Sequence, residues 1–182
     1  MTDECKAPLD PTAFGLFFVA LVSLPIALLC ILTYAGIDNA IGAGSGILGL
    51  GNLGGLLVLA AIAIAIAAQK AYKAGSNFGF IVFGLVALGV FYAGAYGGDL
   101  YINLTLGIIY LVALIWSFHL GNPKTLTIIL LTTALIFIFG GIQAYTGEAD
   151  VWLLLKGIAA LANFVLTLYL AFALADEHLP CY

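Results

Sequence analysis

Along this chain, long apolar stretches alternate with short polar breaks. Stretches free of Lys, Arg, Asp and Glu cover residues 11–37, 39–69, 74–98, 100–123, 125–147 and 157–175. A helix that spans a bilayer needs about 20 apolar residues, and each stretch supplies or nearly supplies them. The pattern predicts helices over residues 12–36, 48–72, 78–98, 100–120, 125–146 and 151–175. The fold class read from it is all-α, a bundle of six transmembrane helices forming a single transmembrane domain. The second stretch is too long for one crossing. Its first half, residues 40–55, is rich in glycine, and the helix read from residue 48 is preceded by an outer loop that lies on or dips into the membrane. Alanine and isoleucine alternate from Ala61 to Ala67, as in a strand. A lone strand cannot satisfy its backbone in lipid, so helix is expected there too.

Composition agrees with a bilayer as solvent. Of 182 residues, 64% are hydrophobic and 8% charged, and the mean hydropathy is +1.21. Soluble domains carry about 25% charged residues. Six helices leave only short connections, too short for a soluble domain. The residues before the first stretch are net acidic, whereas a secretory signal opens on a basic segment. The first stretch is therefore expected to stay in the mature protein. Cys5, Cys30 and Cys181 have no metal-binding spacing and read as unpaired thiols.

Charge then gives an orientation. Every basic residue other than the two histidines is a lysine, and there are five. Lys6, Lys70, Lys73 and Lys124 fall at alternate breaks, while the intervening breaks carry Asp38, Asp99, Glu148 and Asp150. Cytoplasmic loops are enriched in Lys and Arg, so both termini are expected in the cytoplasm and the protein in the cell membrane as a multi-pass chain. Tyr34, Tyr92, Tyr96, Tyr101, Tyr145 and Trp152 cluster at the opposite, outer ends, as interfacial aromatics do.

No catalytic constellation emerges. His119 and His178 sit at or beyond cytoplasmic helix ends, no carboxylate lies deep in a stretch, and metal, haem and nucleotide motifs are missing. The expectation is a non-enzyme with no metal, cofactor or nucleic-acid partner, one that passes a solute. Polar residues at membrane depth are costly and mark functional candidates. They are Ser23, Thr33, Thr127, Thr132, Thr133, Gln143, Lys156, Asn163 and Thr167. Thr132 and Thr133 together make the fifth helix a candidate path wall, and Asn163 has no easy local partner. Lys156 lies four residues past Trp152, about 6 Å deeper along the axis. It either snorkels outward or faces an outer vestibule and attracts an anion. Glycines four apart at Gly42/Gly46, Gly51/Gly55, Gly75/Gly79 and Gly94/Gly98 allow close helix approach. They serve packing within the chain, a subunit contact or a path wall.

Three segments resemble the acetate/succinate transporter family of six-helix permeases. Asp10-Pro11-Thr12-Ala13-Phe14-Gly15-Leu16 stands where the family opens its first helix with Asn-Pro-Ala-Pro-Leu-Gly-Leu, so Pro11, Gly15 and Leu16 match. Lys73-Ala74-Gly75-Ser76-Asn77-Phe78-Gly79, continuing through Phe80 to Phe83, is similar to the family's Lys-Gly-Asn-Thr-Phe-Gly and the apolar helix after it. Leu168-Tyr169-Leu170-Ala171, followed by an acidic pair and Leu-Pro, matches the end of the sixth helix.

The resemblance implies a six-helix protomer in a hexamer, moving acetate and related short carboxylates by proton-linked or channel-like passage. The family narrows its path with a Phe, a Tyr and a Leu. Their positions here are Val19, Val86 and Thr133, with Phe17 or Phe18 able to take the first place after a small shift. Ala71 replaces a family acid. Asn77-Phe78-Gly79 would set a helix N-terminus at the cytoplasmic mouth, where it can replace part of an anion's hydration. Pro25, at mid-span, should kink the first helix. Two other readings stay open: a channel for urea, formate or water, and a membrane subunit that transports nothing.

Overall fold

A computed structural model describes residues 11–37, 51–146 and 150–175, the side chains at 51, 52 and 150 excepted. Six helices account for nearly all of it: α1 (Pro11–Tyr34), α2 (Gly51–Lys73), α3 (Asn77–Tyr96), α4 (Leu100–Leu120), α5 (Lys124–Thr146) and α6 (Asp150–Ala175). Among the described residues there is no strand, and the alternating segment 61–67 is helical. All six helices are long and apolar enough to cross a membrane. The chain is a multi-pass membrane protein. The expected outer loop, Gly42/Gly46, Lys6, His178, Cys5 and Cys181 lie outside the described residues.

The helices pack as a ring. α1 lies between α2 and α6, α3 lies on α2, α5 lies between α4 and α6, and a thin contact between α3 and α4 closes the circle. Neighbours alternate in direction. One end, here called upper, gathers the ends of α1, α3 and α5 with the starts of α2, α4 and α6. Tyr34, Tyr96, Tyr101, Tyr145 and Trp152 stand at this end, while Lys70, Lys73 and Lys124 stand at the other, the lower end.

The outward faces are apolar. Leu59, Ile62 and Ile66 on α2, and Ile108, Val112 and Ile115 on α4, are exposed at helical spacing. Such stripes suit lipid, where apolar side chains need no cover. Polar side chains go inward instead, with Ser23, Asn103, Ser117, Thr133, Asn163 and Thr167 among the buried residues.

Helix ends follow from local chemistry. The Ser76 hydroxyl accepts a hydrogen bond from the Gly79 N–H at 3.1 Å and caps α3. α3 stops at Tyr96, two residues short of the expected end, because Gly97 turns the chain at φ +80°, a conformation natural only to glycine. Asp99 caps α4, its Oδ1 accepting from the Ile102 N–H at 2.9 Å and its Oδ2 from the Tyr92 hydroxyl at 2.5 Å. At the α4–α5 turn the Ser117 and Thr127 hydroxyls lie 3.2 Å apart, and Asn122 Nδ2 donates to Ser117. Thr127 is thus part of this turn. α1 continues as helix through Pro25.

Two glycines set close approaches. A Cβ added at Gly94 would lie 2.9 Å from the Gly54 carbonyl oxygen, so α2 and α3 touch backbone to backbone there. A Cβ at Gly15 would lie 2.6 Å from the ring of Phe83. The first two segments that carry the family resemblance therefore meet in space. Gly55, by contrast, has nothing within 4 Å of its Cβ position.

Candidate functional site

The ring of helices encloses two cavities, one toward each end. The upper cavity holds about 230 Å³ and the lower about 160 Å³. Three residues line both: Val19 of α1, Val86 of α3 and Thr133 of α5. They form the waist between the cavities. They are the positions at which the resemblance puts the family's narrow ring. Phe17, the alternative for the first place, lines neither cavity and packs edge-on against Phe172 of α6 with ring centroids 5.1 Å apart.

α5 and α6 run antiparallel in one register, which brings Gly140 to Lys156 and Thr133 to Asn163. Each pair sits two helical turns from the other, roughly 10 Å along the axis. Lys156 lines the upper cavity, and its Nζ lies 3.5 Å from the Cβ position of Gly140. The ammonium therefore faces α5 inside the bundle. Among the described residues Lys156 has no ion-pair partner. Asn103 of α4 comes to the same place, its Nδ2 3.6 Å from the Gly140 Cβ position. A cationic head and an amide donor thus meet over a glycine that leaves the space between them open.

The inner end of the upper cavity is a hydrogen-bonded chain. Asn163, only 2% exposed, donates from Nδ2 to Thr133 Oγ1 at 3.0 Å, and Thr133 donates in turn to the Ile129 carbonyl at 2.8 Å. Thr167 donates to the Asn163 backbone carbonyl. The Asn163 Oδ1 is buried without a partner. Thr132 donates to the Ile129 carbonyl and lines neither cavity. Ser23 donates to the Val19 carbonyl and lines the upper cavity. Thr33 is exposed near the end of α1.

The lower cavity is bounded by the segments that carry the resemblance. Thr12 and Leu16 come from the first, and Ser76, Phe78, Gly79, Val82 and Phe83 from the second. Pro11 opens α1 and Asn77 opens α3, but neither lines the cavity. Tyr110 of α4 completes the wall. Its side chain is fully buried, its hydroxyl donates to the Val82 carbonyl at 2.8 Å, and its ring stacks on Phe137.

Sequence reasoning missed Tyr110, Asn103 and Gly140. Tyr110 offered a readable signal, since it lies mid-helix, away from the interfacial depth where the other tyrosines gather. Asn103 sits one turn inside its helix and reads from sequence as a helix-end residue. Gly140 has no side chain to notice. Among the described residues no three His, Cys, Asp or Glu side chains come together as metal ligands would.

No known family profile matches the chain, and no curated protein matches it by sequence. Its fold does match a solved structure, that of the bacterial acetate channel SatP. The two share 17% identity over 92% of each chain, with a TM-score of 0.73. At that identity the likeness is one of architecture, and this chain has the six-helix fold of that channel.

Proposed function

We propose that this protein is a member of the acetate/succinate transporter family that passes acetate and related short carboxylates across the cell membrane through its own six-helix bundle. The path runs from the upper cavity, past Val19, Val86 and Thr133, into the lower cavity. The observation that carries this reading is the meeting of Lys156 and Asn103 over Gly140. A carboxylate entering there finds one positive charge and one amide donor, in a cavity otherwise largely apolar. Clefts lined by one sign of charge concentrate the opposite ion. The fold shared with an acetate channel and the two resembling segments around the lower cavity point the same way.

The waist then sets the condition for passage. Val19 and Val86 offer no hydrogen bond to a dehydrating anion, and burying an unpaired charge is far more costly than burying a neutral group. A carboxylic acid that takes up a proton in the upper cavity crosses more easily, which makes the passage proton-linked. The lower end faces the cytoplasm, because Lys70, Lys73 and Lys124 gather there. Assembly as a hexamer follows from the resemblance. The test is uptake of labelled acetate into proteoliposomes. Flux above that of protein-free vesicles, reduced by competing short carboxylates, is expected. Acetate flux equal to the protein-free rate overturns the proposal.

A further inference from the structure

The hydrogen-bond chain at the waist has a direction. Thr133 has one hydroxyl proton, and it goes to the Ile129 carbonyl at 2.8 Å. Thr133 can therefore only accept from its other neighbour, so Asn163 must turn its nitrogen toward Thr133. That choice forces the Asn163 Oδ1 to the other side, where it is buried and has no donor. Asn163 and Thr133 both line the upper cavity, and Thr133 is also part of the waist. Next to the waist the protein thus holds a buried hydrogen-bond acceptor with no donor. A carboxylate brings no proton to this acceptor, its protonated acid brings a single O–H, and a small neutral amide brings two or more N–H groups.

We infer that the waist also passes short neutral amides, with Asn163 Oδ1 accepting an amide N–H during the crossing. The inference rests on the path proposed above and not on its charged solute. An amide needs nothing from Lys156 and is neutral at every physiological pH, so its crossing involves no proton uptake. Its own carbonyl accepts from donors on the way, Asn103 among them. Asn163 is then the residue that decides which uncharged solutes pass, while Lys156 acts on charged ones.

Urea is a suitable probe, because it is small, uncharged and rich in N–H groups. Stopped-flow light scattering of proteoliposomes would compare urea entry with that of protein-free vesicles, and labelled acetate uptake would be measured in the same preparation. Urea entry above the protein-free rate is expected for the unaltered protein. Asn163→Leu, similar in size, should lower that entry about tenfold. Thr133→Val keeps the shape but removes the acceptor that orients the amide, so Asn163 can offer its nitrogen to the path. Acetate flux at pH 8 should then rise relative to urea flux. Vesicles that take up acetate but admit urea no faster than bare lipid would overturn the inference and leave the carboxylate reading standing. Urea entry unchanged in Asn163→Leu, or an unchanged acetate-to-urea ratio in Thr133→Val, would overturn the role given to Asn163.

Discussion

Replacing Lys156 by Met removes a charge from the upper cavity and keeps nearly the same length of side chain. The Lys156 Nζ sits beside Gly140, and the waist at Thr133 lies two turns further in, roughly 10 Å away. At an effective dielectric of about 20, one unit charge stabilises an opposite one at that distance by about 1.6 kcal/mol. This corresponds to about fifteenfold in the local occupancy of an anion. Closer in, at about 4 Å, the same expression gives about 4 kcal/mol before desolvation is subtracted. Acetate flux at concentrations well below saturation should therefore fall by about tenfold or more in Lys156→Met, and half-saturation should move to higher acetate. Partial burial weakens salt screening, so the difference should persist at 0.1 M salt. Labelled acetate uptake into proteoliposomes over a range of acetate concentrations measures both quantities. Lys156→Arg restores the charge and should recover most of the flux. Equal losses in the Met and Arg variants would show that shape and not charge matters. An unchanged concentration dependence in Lys156→Met would refute the vestibule role altogether.

Other consequences can be checked by melting the protein in detergent. Tyr110→Phe removes the hydroxyl that ties α4 to the Val82 carbonyl of α3, across the thinnest seam of the ring, and should cost about 1 kcal/mol. An unchanged melting temperature would show that this bond carries no stability. Gly94→Val places side-chain carbon where the Gly54 oxygen lies, and overpacking of this kind costs about 1–3 kcal/mol. Gly55→Ala, with open space around it, should be neutral or slightly stabilising, and a loss equal to that of Gly94→Val would contradict the packing. Asp99 gives a pH test. Its carboxyl is held below its ordinary value of 3.8, first by the Tyr92 hydroxyl and then by the Ile102 N–H. A depressed folded value means that stability from Asp99 is fully present above about pH 4 and is lost as the pH falls through the lower folded value. Asp99→Ala should therefore narrow the difference in melting temperature between pH 6 and pH 3, and an equal difference in both proteins would exclude the cap as its source.

The parts of the site that could be read from sequence are those whose energetics are local. Polar groups at membrane depth are costly wherever the helix faces, so Lys156, Asn163 and Thr133 are visible as candidates in the sequence alone. Their roles were not readable. Thr132 and Thr133 are neighbours of the same chemistry, both donating to the Ile129 carbonyl, yet only Thr133 lines the cavities. Adjacent residues on a helix point about 100° apart, and nothing in a uniformly apolar stretch says which direction is inward. Phe17 and Val19 pose the same problem. Which of them lines the cavities depends on how α1 is rotated against α6, with Phe17 packed on Phe172 and Val19 turned to both cavities.

Six crossings and their limits follow from the sequence alone, because bilayer thickness and the cost of unpaired backbone allow no other answer for stretches of this length and hydropathy. Even so, α3 ends at Tyr96, two residues before the predicted end, because Gly97 turns the chain there at φ +80°. Only the tertiary structure decided which polar atoms share a space. The α5–α6 register sets Lys156 over Gly140 and Asn163 against Thr133, and the closing of the ring brings Asn103 and Tyr110 inward. These pairings depend on side chains interlocking between helices that are distant in sequence. Hydropathy is blind to that geometry, since the few inward polar residues are too sparse to mark one face of each helix.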